Sequence, residues 1–266
     1  MTTEFSADTT IQSIIIKMLG DASTSTDPNT RYKSQNLGTW SSTVDVDNFL
    51  NKYNHNTKYY GAALGSYITI KDGTYNKEWV IAGFDCERYR GASDNSMYDN
   101  GYGICLIPKT SLGDVVWDSR STENGYYGSE INKITLPTVA TNLQKVLGSH
   151  LILRKVLLSS AKAINSPNYF ATASAYTWTT AYCTLMSSCQ ITGKLASNEN
   201  KYDDGEANYI LPFFKYKTPS FLGKWTWLRG ISDRYFNQGA YNSGTNGASH
   251  SVCTAKRSLY PLIYIR

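Results

Sequence analysis

The C-terminal stretch, residues 225–266, constrains the fold of this chain more than any other: WTWLRGISDRYFNQGAYNSGTNGASHSVCTAKRSLYPLIYIR. Apolar, strand-like segments at 225–228 and 259–265 flank a polar middle. Between residues 230 and 251, Gly, Ser, Asn and Tyr fill 13 of 22 positions. A segment so poor in Leu, Ile and Val has too little apolar surface to drive its own folding, so the flanking strands must hold it as an irregular surface. Binding loops favour this same residue set. Tyr brings large contact area at low entropy cost, and Ser, Gly and Asn bring adaptable hydrogen bonds. The stretch therefore predicts a scaffold that displays a recognition surface near its C-terminus.

Upstream, the clearest pattern lies at residues 8–20. Ile11, Ile14, Ile15, Met18 and Leu19 form one apolar helical face, with Asp8 or Thr9 as cap and Gly20 as stop. This face suits packing on the body of the domain, or oligomerisation and docking. A polar segment containing Pro28 follows and reads as a linker. Val46, Phe49, Leu50 and Tyr53 predict a short helix over 44–53. Strands are expected at 66–70 and 79–84, joined through an Asp72-Gly73 turn, and at 103–108. The polar, Tyr-containing loop at 89–102 is a possible second recognition surface. Residues 126–159 look helical on both sides of Pro137, with Gly148 as a stop and 151–158 as a strand or buried extension. Strand-like parts lie in 182–193, and 210–216 reads as a short strand broken by Pro212. Many short strands, long polar loops and two or three helices make a mixed α+β chain.

The bulk properties exclude several classes. Lys and Arg are scattered without a run of five, and the net charge is only +5, so no nucleic-acid partner is expected. No apolar run approaches the roughly 18 residues of a membrane helix, so no membrane insertion is expected. The start, MTTEFSADTT, lacks the basic and apolar regions of a signal peptide. Cys86, Cys105, Cys183, Cys189 and Cys253 are odd in number and form no CxxC, so reduced, buried thiols are expected.

Three groups of residues resemble a known family. The first is the W-x-WLR-G start, the polar middle and the terminal SLYPLIYIR. The second is LMSSCQITG…YDDGEANYILPFFK at 185–215, similar to M-S-x-x-Q-x-x-G…Y-D-x-G…P-x-F. The third is YYGSEINKITLP…LGSHLILRKVLLSS. Together they resemble the C-type-lectin-fold domains of bacteriophage and bacterial surface proteins, including the variable receptor-binding proteins of diversity-generating retroelements. Leu259-Tyr260-Pro261 stands where Val-Arg-Pro is common in that family. The resemblance covers about residues 62–266 and leaves 1–61 as an N-terminal attachment or oligomerisation segment. It implies a C-type-lectin-like α+β fold whose first and last strands pair, with 225–230 and 259–265 as paired framework around an exposed ligand-binding face between Trp227 and Leu259. It also implies a virion protein, often a homotrimer, that meets a host-surface receptor or glycan and joins other virion proteins through its N-terminus. The candidate ligand-binding residues are Ser232, Asp233, Tyr235, Asn237, Tyr241, Asn242, Asn246 and His250.

Chemistry of other kinds finds less support. Asp203, Asp204 and Glu206, with Asn198 and Asn208, are oxygen ligands of the kind calcium prefers, but their spacing matches no EF-hand, and Asp203-Asp204-Gly205 equally makes a turn. His55, His150 and His250 are isolated, and only His250 lies near a cysteine, Cys253. There is no G-x-S-x-G elbow and no phosphate-binding glycine loop. A related fold hosts formylglycine-generating enzymes, which use paired late cysteines, whereas only Cys253 lies late here. The expectation is a non-catalytic protein without metal or cofactor. The alternatives are a capsid decoration, head-fibre or tail component whose face packs on another virion protein, and an enzyme of the formylglycine-generating type.

Overall fold

The computed structural model describes residues 27–86, 103–120, 125–160, 176–193, 210–217, 222, 225–230, 238–242 and 247–266, with 238–242 and 247–250 described as backbone alone. Its centre is a six-stranded sheet in the order β1-β2-β3-β4-β13-β8. The strands are β1 (Asn36–Trp40), β2 (Tyr67–Ile70), β3 (Lys77–Phe84), β4 (Ile104–Pro108), β13 (Pro261–Ile265) and β8 (Cys183–Leu185). Only β1 and β2 run parallel; the other pairs are antiparallel. ICLIP and PLIYI are buried at every position, because both faces of the sheet are covered. Trp79, Ile81, Leu106, Ile263 and Ile265 enter one apolar cluster. Their neighbours Val80, Ala82, Ile107, Leu262 and Tyr264 enter another. Successive residues of a strand point to opposite faces, so the two clusters follow directly from the pleat.

Helices α1 (Thr43–Lys52) and α3 (Leu136–Leu147) contribute to the first cluster. In α1 the stripe places Val46 and Phe49 inward, and Asp45 accepts from the Ser41 and Ser42 amides at 2.7 and 3.0 Å. The Ser41 amide first, then the Ser41 and Ser42 hydroxyls, hold the exposed Asp45 carboxyl below its usual range. In α3, Leu136, Val139, Ala140, Leu143, Val146 and Leu147 form the buried stripe, and Gly148 ends the helix at φ +53°. A four-residue α2 (Gly125–Gly128) and a π-helical turn, Ile131–Thr135, precede it. The Leu136 amide donates five residues back to Ile131, and Pro137 then has no N–H to continue an α-helical register. The second cluster is covered by α4 (Ser188–Thr192) and by a 3₁₀ helix at Pro212–Lys215. Ser187 caps α4, accepting from the Gln190 amide at 3.2 Å while Gln190 Oε1 accepts from the Ser187 amide at 3.1 Å. Gly193 closes α4 at φ +73°. The M-S-x-x-Q-x-x-G motif is thus a capping box plus a left-handed stop.

A five-stranded sheet runs β11-β10-β9-β12-β5, and β6 (Arg154–Ser159) pairs with β7 (Tyr176–Ala181) alone. The former comprises β5 (Asp114–Val115), β9 (Thr226–Trp227), β10 (Gln238–Asn242), β11 (Gly247–Val252) and β12 (Arg257–Ser258).

Trp40, Phe49, Tyr53 and Tyr59, which precede residue 62, lie in the same apolar cluster as Ile263 and Leu143. Several expectations are corrected. The segment at 210–216 contains a 3₁₀ helix, Pro212–Lys215, rather than a strand, because Pro212 fixes a helical φ at its first turn. The first and last strands share a sheet but do not pair; β13 lies between β4 and β8. Residues 225–228 and 259–265 do not pair with each other either, since β9 bonds β10 and β12 while β13 belongs to the central sheet. The apolar helix at 8–20 and the acidic loop at 198–208 lie outside the described residues.

Candidate functional site

The polar C-terminal middle is partly a β-hairpin rather than an irregular surface. β10 and β11 pair antiparallel, with Ala240 opposite Ser249, Tyr241 opposite Ala248 and Asn242 opposite Gly247. On its other side β10 pairs with β9, placing Ala240 opposite Trp227 and Tyr241 opposite Thr226. Backbone ladder bonds to a buried neighbour hold the segment, so it needs no apolar face of its own. The register shifts between Gln238 and Ala240, so His250 and Ser251 together stand opposite Gly239. Such a bulge bends the strand and increases its twist locally. β11 is the outermost strand of this sheet.

The frame beneath the hairpin is built by two tryptophans. Trp227 Nε1 donates to Val115 O at 2.8 Å, and Trp117 Nε1 donates to Leu228 O at 3.2 Å. Both indoles are fully buried, so each N–H needs its partner. Cys253 O accepts from the Trp117 and Asp118 amides at 2.9 and 3.2 Å. Arg257 stacks its guanidinium 5.0 Å from the Trp225 ring and donates from Nε to Ser251 Oγ at 3.1 Å. Arg229 is 5% exposed, which makes it part of the framework rather than a surface contact.

Of the candidate binding residues, the structure places the backbone of three on one hairpin. Tyr241 and Asn242 lie on β10, and His250 lies at the β11 bulge. Ser232, Asp233, Tyr235, Asn237 and Asn246 lie outside the described residues.

A second feature, invisible in the sequence, stands at the base of the 87–102 segment. Asp85 directly follows β3, at φ +46°. Its amide donates to Gly103 O at 2.8 Å, and its Oδ1 accepts from the Gly103 amide at 2.9 Å. Tyr59 O–H donates to the same Oδ1, and His55 Nδ1 lies 2.5 Å from Oδ2. Burial and the adjoining carboxylate push the Tyr59 phenol well above its ordinary value. One carboxylate therefore ties a 3₁₀ turn at His55–Thr57 to both ends of the possible second recognition loop. His55 and Asp85 are 30 residues apart in the chain, so no spacing could have flagged them. The available signal was a buried strand ending in an acid beside a long polar loop.

The five cysteines are all buried thiols rather than disulfides. Among the described residues, no three His, Cys, Asp or Glu side chains cluster as metal ligands, and no helix is long and apolar enough to cross a membrane. No family model, no curated protein and no solved structure matches the chain. The architecture defines its class: a mixed α+β protein with several sheets and few helices.

Proposed function

We propose that the chain is a non-catalytic bacteriophage virion protein that binds a host-surface receptor or glycan through its C-terminal hairpin face. The observation that carries this reading is the contrast within residues 225–266. A Tyr/Asn/Ser/Gly-rich hairpin forms the margin of a sheet whose next strand, β9, is locked by buried tryptophans. Recognition residues on loops and margins held by a rigid frame are the usual arrangement of binding proteins. A C-type-lectin-like fold is part of the proposal. It rests on the C-terminal and 185–215 motifs, with the separation of first and last strands as a departure. Attachment to other virion proteins is assigned to the N-terminal segment, residues 1–61. Assembly as a homotrimer would add avidity to a weak single-site affinity.

The test is adsorption of particles carrying Tyr241→Ala, Asn242→Ala and His250→Ala together. Adsorption should fall at least about tenfold, as expected from losing an interface hot spot. Assembly and thermal stability of the purified chain should be retained. Unchanged adsorption overturns the reading.

A further inference from the structure

A groove of about 430 Å³ lies away from the hairpin, between α3 and the end of β7. One wall carries Pro137, Thr141 and Gln144, spaced four and three residues apart along one helical face. The facing wall carries Thr179, Thr180 and Tyr182. Leu136, Ala140 and Cys183, all buried, line the groove as well. The π-helical turn contributes Asn132 and Lys133 to the lining. Widened turns of this kind are frequent at functional sites.

The chemistry of the lining is selective. Lys133 is the only ionised side chain among the described residues that line the groove. Its ammonium sits 3.7 Å from the centroid of the Tyr127 ring, which holds the charge in place without neutralising it. Asn132 is likewise fixed, donating from Nδ2 to Tyr127 O at 2.8 Å. The neighbouring acid, Glu130, is engaged by Ser119 Oγ at 2.5 Å. Amides, hydroxyls and one positioned cation surround an apolar floor, in a volume within the usual small-ligand range of roughly 300–1,000 Å³. A pyranose presents C–H groups on one face and hydroxyls at its edge, and a carboxylate on the ring answers the cation.

We infer that this groove binds an acidic saccharide unit, a sugar ring bearing a carboxylate. The site is separate from the hairpin face and does not depend on what that face binds. The probes are D-glucuronate and N-acetylneuraminate, titrated into the purified full chain by calorimetry and by amide chemical shifts. Glucose and acetate are the controls. At least one acid should bind saturably with a Kd on the order of 1 mM, as suits a single small ring. Whichever acid binds better names the natural source as a uronate or a sialylated glycan. Lys133→Met, at an exposed position, should weaken binding about tenfold by removing the charge-assisted contact. Thr141→Trp should abolish binding by filling the groove, while Tyr241→Ala/Asn242→Ala/His250→Ala should leave it unchanged. The inference is overturned by no saturable binding of either acid, by equal binding of glucose or acetate, or by unchanged affinity in Lys133→Met.

Discussion

Asp85 offers the sharpest stability experiment. The side chain is 26% exposed and accepts hydrogen bonds from the Gly103 amide and the Tyr59 hydroxyl, with His55 at its other oxygen. Hydrogen bonds to a charged group contribute about 1.5–3 kcal/mol each, and stranding a buried donor adds its desolvation cost. Asp85→Ala removes the acceptor from both donors and also places an alanine at φ +46°, a left-handed conformation costing about 1 kcal/mol. The two bonds and the backbone together come to about 4–7 kcal/mol, and solvent access to the partly exposed carboxylate lowers the expected loss to about 3–5 kcal/mol. Asp85→Gly loses the same bonds but accepts the backbone, so it should cost about 1 kcal/mol less than the alanine. Asp85→Asn keeps one acceptor oxygen and tolerates the left-handed region, and should cost about 1–2 kcal/mol. Urea unfolding followed by tryptophan fluorescence gives the three values, and hydrogen exchange at the Gly103 amide reports the loop base directly. The reasoning is refuted if the alanine variant lies within about 0.5 kcal/mol of the parent, the scatter of ordinary surface changes, or if glycine costs more than alanine.

Further outcomes follow from the same structure. Burial pushes the Cys183 thiol up from 9.0 to about 12. The unfolded thiol ionises first, so its contribution to stability is complete below pH 9 and is lost as pH rises towards 12. In that window it accounts for about 1.4 kcal/mol per pH unit. Cys183→Ala should flatten the alkaline limb of a stability–pH curve by that slope. Gly103→Ala should destabilise more than Gly73→Ala in urea unfolding, although both have positive φ. A Cβ at Gly103 would lie 2.8 Å from Ile265 O, whereas at Gly73 it meets nothing within 4 Å. Trp227→Phe keeps most of the apolar contact but loses the hydrogen bond that Nε1 donates to Val115 O. It should cost about 0.5–1.5 kcal/mol by chemical denaturation and speed hydrogen exchange in β10.

Elements whose cause is local could be read from the sequence. The stripe of Val46 and Phe49 placed α1, Gly148 marked the end of α3, and Asp72 accepts from the amides of Thr74, Tyr75 and Asn76 in the expected turn. Trp227 and Tyr264 were legible as core from their apolar neighbours. Partners chosen by tertiary structure were not legible. Two apolar segments flanking a polar one invite pairing with each other, yet β9 and β13 went to different sheets, because Pro261–Ile265 is apolar on both faces and fits only the doubly covered central sheet. Pro212 sits in a run rich in β-formers, but its fixed φ and its packing with Phe213 and Phe214 favoured a 3₁₀ turn. At the candidate site, the composition of 230–251 pointed to display, while its hairpin form depended on ladder bonds from β9. The His55–Asp85–Tyr59 clasp and the groove beside Lys133 arise from residues distant in sequence, so neither left a motif.

The central claim, that the C-terminal hairpin is the recognition face, is tested most directly by hydrogen–deuterium exchange on the purified chain with and without isolated host envelope. Binding should slow exchange in peptides spanning 232–252 and leave the central strands β3 and β13 unchanged. Saturable binding with protection confined to other surfaces, or no binding to envelope at all, contradicts the account.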